Sequence, residues 1–272
     1  MNRKPRETLV SDLVHTHGVD IVILAECQRP DWVVRAVNHR TTKPLTHYVL
    51  QRTAHPTRIT ILSNFRSDTI MEYETTRRFR VAQLRNLTCG EILLVCCHAT
   101  SGLRSSENQQ EKQIEKLAKR LHEIEDHVGH SRTILIGDLN ADPFDRRIRS
   151  AMGLHAEKSR SVCLDESRRV DGEIYRYFYN PMWRFLGHQA PLAQGTYFRA
   201  KSEYDDRHWR VLDQVLLRPS LLPYFADDNV QIITDVGETS FRDSKGRPNP
   251  KIASDHFPIL VKLTPSAYGG LA

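Results

Sequence analysis

Thr133-Ile134-Leu135-Ile136-Gly137-Asp138-Leu139-Asn140-Ala141-Asp142-Pro143 is the stretch on which the reading of this chain turns. A short, continuous apolar run bounded by turn formers reads as a strand buried on both faces, and Asp138 and Asn140 lie just past its end. The same arrangement recurs outward in both directions. Upstream, Leu93-Leu94-Val95-Cys96-Cys97 leads into His98, and Val19-Asp20-Ile21-Val22-Ile23-Leu24-Ala25 leads into Glu26. Downstream, Ser254-Asp255-His256 adjoins a last apolar strand over 257–263, and Asp213 sits inside Val211-Leu212-Asp213-Gln214-Val215-Leu216. A carboxylate within an apolar strand loses hydration and needs a partner. Singly, each residue has an ordinary explanation as a turn, cap or satisfied core group. Together, at the ends of successive strands, they point to one site, because open α/β sheets gather their active sites there.

The elements between these clusters fall into place by periodicity. Leu9, Val10, Leu13, Val14 and His17 trace one face of a helix that Gly18 stops. Asp31 is placed to cap a short helix running to His39. Strands are expected over 47–52, 58–63, 69–74, 79–87 and 91–97, with Thr88-Cys89-Gly90 as a hairpin turn. The longest helical pattern is Glu107 to Val128, with a stripe of Ile114, Leu117, Leu121, Ile124 and Val128, and Gly129 ends it. From about 155 to 208 the pattern is irregular and rich in aromatic residues mixed with Arg. No linker and no internal repeat interrupts the chain, so residues 1–272 read as one domain with its motifs between 26 and 256.

Composition bounds the function. Of 272 residues, 39 are Lys or Arg and 33 Asp or Glu, a net charge of +6 that favours an anionic partner such as nucleic acid. No apolar run approaches the roughly 18–20 residues that cross a bilayer, so no membrane association is expected. The charged start leads into no apolar signal segment, and a cytoplasmic location is expected. The five cysteines, Cys27, Cys89, Cys96, Cys97 and Cys163, include no Cys-x-x-Cys pair and read as free thiols, with Cys96 and Cys97 on opposite faces of one strand. The histidines lack zinc-type spacing.

The residue types suit one chemistry. Glu and Asp are hard oxygen ligands for Mg²⁺, which prefers one or two carboxylates plus waters and phosphate oxygens. An Asp–His pair orients an imidazole to stabilise or protonate a developing oxyanion. An Asp beside an Asn can orient or deprotonate an attacking water. Positioning and charge neutralisation are most of what phosphoryl transfer needs. A metal-assisted phosphoester hydrolase follows.

The chain resembles the endonuclease/exonuclease/phosphatase superfamily, the fold shared by pancreatic-type deoxyribonuclease, abasic-site endonucleases, sphingomyelinases and inositol-polyphosphate phosphatases. The matching pieces are Asp20 to Cys27, Cys97-His98-Ala99-Thr100-Ser101, Ile136 to Pro143, Trp209 to Leu216 and Ser254-Asp255-His256-Phe257-Pro258-Ile259, in the family's order over nearly the whole chain. The resemblance implies a four-layer α/β sandwich of two mostly antiparallel sheets with helices outside. It implies that Glu26 binds Mg²⁺ (Mn²⁺ as a substitute), with Asp255 as a second ligand. It also implies that Asp138 orients or deprotonates the nucleophilic water, with Asn140 holding the water and the phosphate. His256, oriented by Asp213, would stabilise the transition state or protonate a leaving oxygen, and His98 would contact the phosphate as in the deoxyribonuclease branch.

Two departures from the family pattern stand out. The family opens with a strand carrying an Asn near the metal, whereas here the chain starts on the first helix; either that strand lies upstream or the sheet is short by one. In the deoxyribonuclease branch the second His pairs with a Glu on a neighbouring strand. The strand beginning Thr57-Arg58 offers none, leaving Glu72 or Glu74 to compensate. Arg104, Arg176 and Arg184 are candidate phosphate contacts, and Tyr175 to Arg184 reads either as a clamp for phosphates and bases or as a loop packing its own aromatics on the sheet. The first functional expectation is a Mg²⁺-dependent nuclease acting on DNA or RNA. The alternatives are a phosphatase or phosphodiesterase of a small or lipid-borne phosphate, and a nucleic-acid-binding module that has lost catalysis.

Overall fold

The computed structural model describes residues 5–41, 47–66, 68–85, 87–101, 106–187, 193–200 and 208–264. The elements follow in the order α1 (Arg6–His17), β1 (Ile21–Ala25), α2 (Pro30–Asn38), β2 (Val49–Leu50), β3 (Ile59–Ser63), β4 (Ile70–Thr75), β5 (Phe79–Leu84), β6 (Ile92–His98), α3 (Glu107–Val128) and β7 (Thr133–Asp138). Then come α4 (Arg146–Arg149), β8 (Ala156–Glu157), α5 (Arg160–Cys163), β9 (Ser167–Val170), β10 (Glu173–Arg176), β11 (Phe178–Tyr179), β12 (Tyr197–Phe198), β13 (Trp209–Arg210), β14 (Asp213–Leu217), β15 (Val230–Ile232), β16 (Asp235–Val236), β17 (Thr239–Ser240) and β18 (Ile259–Val261).

Seven strands form one sheet in the order β4-β5-β6-β7-β14-β11-β8. Neighbours are antiparallel except β6–β7 and β11–β8. A parallel neighbour needs a crossover, and α3 supplies the one between β6 and β7. Ser106 and Gln109 cap α3 reciprocally, and Gly129 ends it in the left-handed region. A second sheet has the order β1-β3-β2, and β15 pairs with β18.

Strand alternation then sorts the apolar side chains. Leu93, Val95, Cys97 and Leu135 pack beneath Ile114, Leu117, Leu121 and Ile124 of α3. The opposite face carries Ile92, Leu94, Cys96, Ile134, Val215 and Leu217 onto Ile59 and Ile61 of β3. Beyond the small sheet, Val22 and Leu62 meet Val14 of α1 and Val33 and Val37 of α2. Cys96 and Cys97 thus enter different clusters, and all five cysteines are free.

Three local expectations change. The first concerns β1, whose side chains are mostly half-buried, with only Val22 fully covered. Among the described residues it is paired with β3 alone, and an edge strand keeps one side open. Asp31 does not cap α2. Arg29 holds the cap position with Pro30 opening the helix, and Asp31 in the first turn pairs with Arg52 at 3.0 Å. Finally, β14 starts at Asp213 rather than enclosing it, because the N–H of Val211 goes to Asp142 and those of Leu212 and Asp213 to the Thr196 hydroxyl.

Candidate active site

Register brings three of the expected residues into one row. His98 on β6 is opposite Asp138 on β7, and Asp138 is opposite Asp213 on β14. Registered residues on adjacent strands share a face, about 4.5–5.5 Å apart. That face is the one carrying Ile92, Leu94, Cys96, Ile134, Val215 and Leu217, so the row is the polar end of the cluster between the two sheets.

His256 joins the row from the loop before β18. Its Nδ1 lies 2.7 Å from Asp213 Oδ2. Thr196 sets this contact from beneath: its hydroxyl accepts from Leu212 N and Asp213 N, both at 3.1 Å, and its carbonyl accepts from Phe257 N at 2.8 Å. Tyr197 packs its ring 4.8 Å from the imidazole. Burial pulls the His256 imidazole down, but the charge and hydrogen bond of Asp213, with Asp138 and Asp255 beyond, outweigh it and hold the group at about 9.

The Asp138 pKa is raised as well, which in a carboxyl disfavours the charge. Burial and the charge of Asp213 push its carboxyl well above the usual range, against the pull of His256 and Asn140. Asn140 donates its backbone N–H to Oδ1 at 2.8 Å and its Nδ2–H to Oδ2 at 2.9 Å, while the same amide reaches the Ala99 carbonyl at 3.0 Å. Asn140 does this from the left-handed region, φ 48°, which Asn enters more readily than most residues. Gly137, at φ 140°, allows the close approach of β7 to β6: a Cβ there would stand 2.0 Å from the Cys97 carbonyl oxygen.

His98 points its Nε2 at Asp138 Oδ2 from 3.8 Å, too far for a hydrogen bond, and its Nδ1 is buried without a hydrogen-bond partner. Burial lowers its pKa, countered by Glu26 and reinforced by Arg78, Arg58 and His256, so it is neutral at pH 7. The two carboxylates offered by sequence for His98 are committed elsewhere. Glu72 binds the buried Arg80 at 2.8 Å and Glu74 binds Arg120 at 2.6 Å.

Glu26 stands just past β1, also left-handed, at φ 54°. Its carboxylate pairs with Arg58 at 2.5 Å. Asp255 is exposed, joined to Ser254 Oγ at 3.3 Å. Among the described residues no three His, Cys, Asp or Glu side chains are grouped to hold a metal by themselves. Mg²⁺ is commonly held in a sparse mode, by one or two hard carboxylates completed by water and phosphate oxygens. Glu26, with more than half its side chain exposed, fits that mode.

Two of the arginines proposed as phosphate contacts, Arg176 and Arg184, pair away from this cluster. Arg176 pairs with Glu125 and Asp126 at the end of α3. Glu125 in turn accepts from the Thr133 hydroxyl at 2.6 Å, and Thr133 opens β7, roughly 17 Å from Asp138 at about 3.3 Å per residue. Arg184 binds Asp228 at 3.0 Å and lines a surface pocket with Lys158 and Trp183. The aromatic segment packs rather than clamps: Tyr177, Phe178, Tyr179 and Met182 are buried. Arg104 lies outside the described residues.

Sequence reading passed over Arg58, Thr196 and Asp142. Asp142 holds Arg210 Nε at 2.8 Å and Val211 N at 2.9 Å, fixing the approach to Asp213. Arg58 had a signal, a charged residue at the head of an apolar strand. Thr196 had none, lying in the stretch without periodicity.

The sequence matches the model of the Endonuclease/Exonuclease/phosphatase family over residues 1–256. No curated protein matches it significantly. Among solved structures, TDP2 from D. rerio complexed with a single-strand DNA product is similar at 18% identity and TM-score 0.53, over 94% of this chain and 90% of that one. The 3′ phosphatase NExo from Neisseria bound to a product DNA hairpin is similar at 14% identity and TM-score 0.53, over 95% and 94%. Truncated TDP2 from Caenorhabditis elegans follows at 16% and 0.50, over 93% and 88%. These likenesses show a deoxyribonuclease-like mixed α/β fold.

Proposed function

The chain belongs to the endonuclease/exonuclease/phosphatase family, hydrolases of phosphoester bonds, and from that premise we propose that it is a metal-assisted phosphoesterase acting on nucleic acid, with its catalytic centre at Asp138, Asn140, Asp213 and His256. The observation that carries this reading is geometric: His256 Nδ1 lies 2.7 Å from Asp213 Oδ2, and Asp213 stands in register with Asp138, whose carboxylate Asn140 holds. Asp138 has a raised pKa and His256 is held protonated to about 9. A carboxylate raised above its usual range is suited to take a proton as base, and an imidazole held charged is suited to give one as acid.

In the reaction, Asp138 accepts a proton from a water while Asn140 fixes the carboxylate through both of its oxygens. The water oxygen bonds to phosphorus and the P–O bond to the leaving group breaks. His256, tethered at Nδ1, presents Nε2 to the phosphoryl or leaving oxygen and supplies the proton that oxygen needs. Asp213 is the positioning residue that keeps this imidazole charged and oriented. Neutral His98 donates one N–H to a phosphoryl oxygen. Glu26, with Asp255 in support, would hold the divalent ion, which when bound supplies charge neutralisation at the phosphate.

Nucleic acid as substrate class is supported by the net charge of +6 and by the bound DNA products in two structurally similar proteins. The test is cleavage of single- and double-stranded oligonucleotides with Mg²⁺, Mn²⁺ or EDTA, run beside Asp138→Ala and His256→Ala. Each substitution is expected to lower the rate by at least about 10². Equal rates in the variants would sink the proposed centre.

A further inference from the structure

Arg58 meets Glu26 twice. Its guanidinium Nη1 lies 2.5 Å from Glu26 Oε1, and its carbonyl accepts the Glu26 N–H at 2.8 Å. Its backbone is fixed on the other side as well, where its own N–H reaches the Arg77 carbonyl at 3.4 Å. The Arg58 side chain is 23% exposed against 58% for Glu26. Arg58 thus has its backbone held on both sides, and most of its side chain is covered. Both charges of the pair act on His98, in opposite directions, so the pair belongs to the electrostatic surroundings of the candidate centre.

A divalent cation and a guanidinium compete for the same carboxylate oxygens. Arg is charged at every relevant pH, so protonation does not relieve that competition. We infer that Arg58 is an exchangeable counter-ion of Glu26: it neutralises the carboxylate when no metal is bound, weakens divalent-cation binding there, and is displaced when the cation seats. This rests on Glu26 as a metal ligand, as proposed above. It goes further by assigning a residue that sets the affinity.

The experiment is calorimetric titration of Mn²⁺ into the full chain, without substrate, for wild type, Arg58→Gln, Arg58→Lys and Glu26→Gln, with melting curves to verify folding. Arg58→Gln is expected to bind Mn²⁺ at least about fivefold more tightly, given the strength of charged hydrogen-bonded pairs. Arg58→Lys, which keeps the charge, is expected to fall between it and wild type. Arg58→Met, which keeps the aliphatic stem, gives the same reading should the Gln variant fail to fold. Unchanged or weaker Mn²⁺ binding on loss of the Arg58 charge overturns the inference alone. Mn²⁺ binding indifferent to Glu26→Gln would instead remove Glu26 as a ligand, and with it the reading on which the inference stands.

Discussion

His256 Nδ1 and Asp213 Oδ2 stand 2.7 Å apart although 43 residues separate them in sequence. The contact joins a loop to the first residue of a strand in the large sheet, and it decides the charge of the imidazole. Activity is therefore expected over a window bounded by two groups. On the acid side, Asp138 must lose its proton, and its raised pKa moves that limb above the ordinary carboxylate range. On the alkaline side, His256 loses its proton near 9. In Asp213→Asn the alkaline limb should move to lower pH, by at least one pH unit on the order of the charge–charge effects seen for close pairs. A pH–rate profile with unmoved limbs would separate Asp213 from the acid role of His256.

Asp138→Asn tests the cost of the base. A carboxyl whose folded pKa lies above its unfolded value destabilises the fold once the unfolded group has ionised, so at neutral pH the native charge works against folding. The Asn variant should lose at least about 10² in rate while its melting temperature stays level or rises. A fall of several degrees would show that the two hydrogen bonds from Asn140 outweigh the buried charge.

Thr196→Val removes one hydroxyl that serves two N–H groups, a buried one on Leu212 and a half-buried one on Asp213. Leaving them unpaired should cost about 1–3 kcal/mol and loosen Asp213, so the alkaline limb should drift down with it. Thr196→Ser should restore both melting temperature and pH profile. Rescue of stability without rescue of the profile would confine Thr196 to a structural role.

Arg176 and Arg218 should behave as framework. Arg218 is 1% exposed and binds Glu125 at 2.8 Å, with its guanidinium 3.8 Å from the Phe178 ring centre. Arg218→Met takes the closest cation from the buried Glu125, leaving it Arg176 at 3.3 Å and the Thr133 hydroxyl, and is expected to cost about 3 kcal/mol in chemical denaturation. Arg176→Ala should leave kcat/KM on an oligonucleotide within about twofold. A tenfold loss there would return Arg176 to the substrate surface.

Gly137→Ala places a Cβ against the Cys97 carbonyl and demands a φ near 140° of a residue that resists it. It should destabilise the fold by on the order of 3 kcal/mol, with activity falling further than stability because His98 and Asp138 flank that contact. Wild-type thermal stability would overturn the close-approach argument.

Periodicity alone was enough for α3, for β6 and β7, and for the stop signals at Gly18 and Gly129, since each of these is a local property of side-chain spacing and backbone permissiveness. The same patterning placed Glu26, His98 and Asp138 at the ends of their strands, and Asp255 and His256 ahead of the last one. Register could not be read that way. Which residue of β6 stands opposite Asp138 depends on the pairing of two strands joined through α3, and that β14 begins at Asp213 depends on side chains from distant segments, Thr196 and Asp142, taking up backbone N–H groups. The arginines show the limit most plainly. Arg176 and Arg58 are indistinguishable as letters, yet one is spent on a buried carboxylate at the far end of β7 and the other on Glu26, whose charge reaches His98 of the candidate row. A charged side chain takes its role from the charge it meets, and chain folding, through contacts between remote segments, decides which one that is.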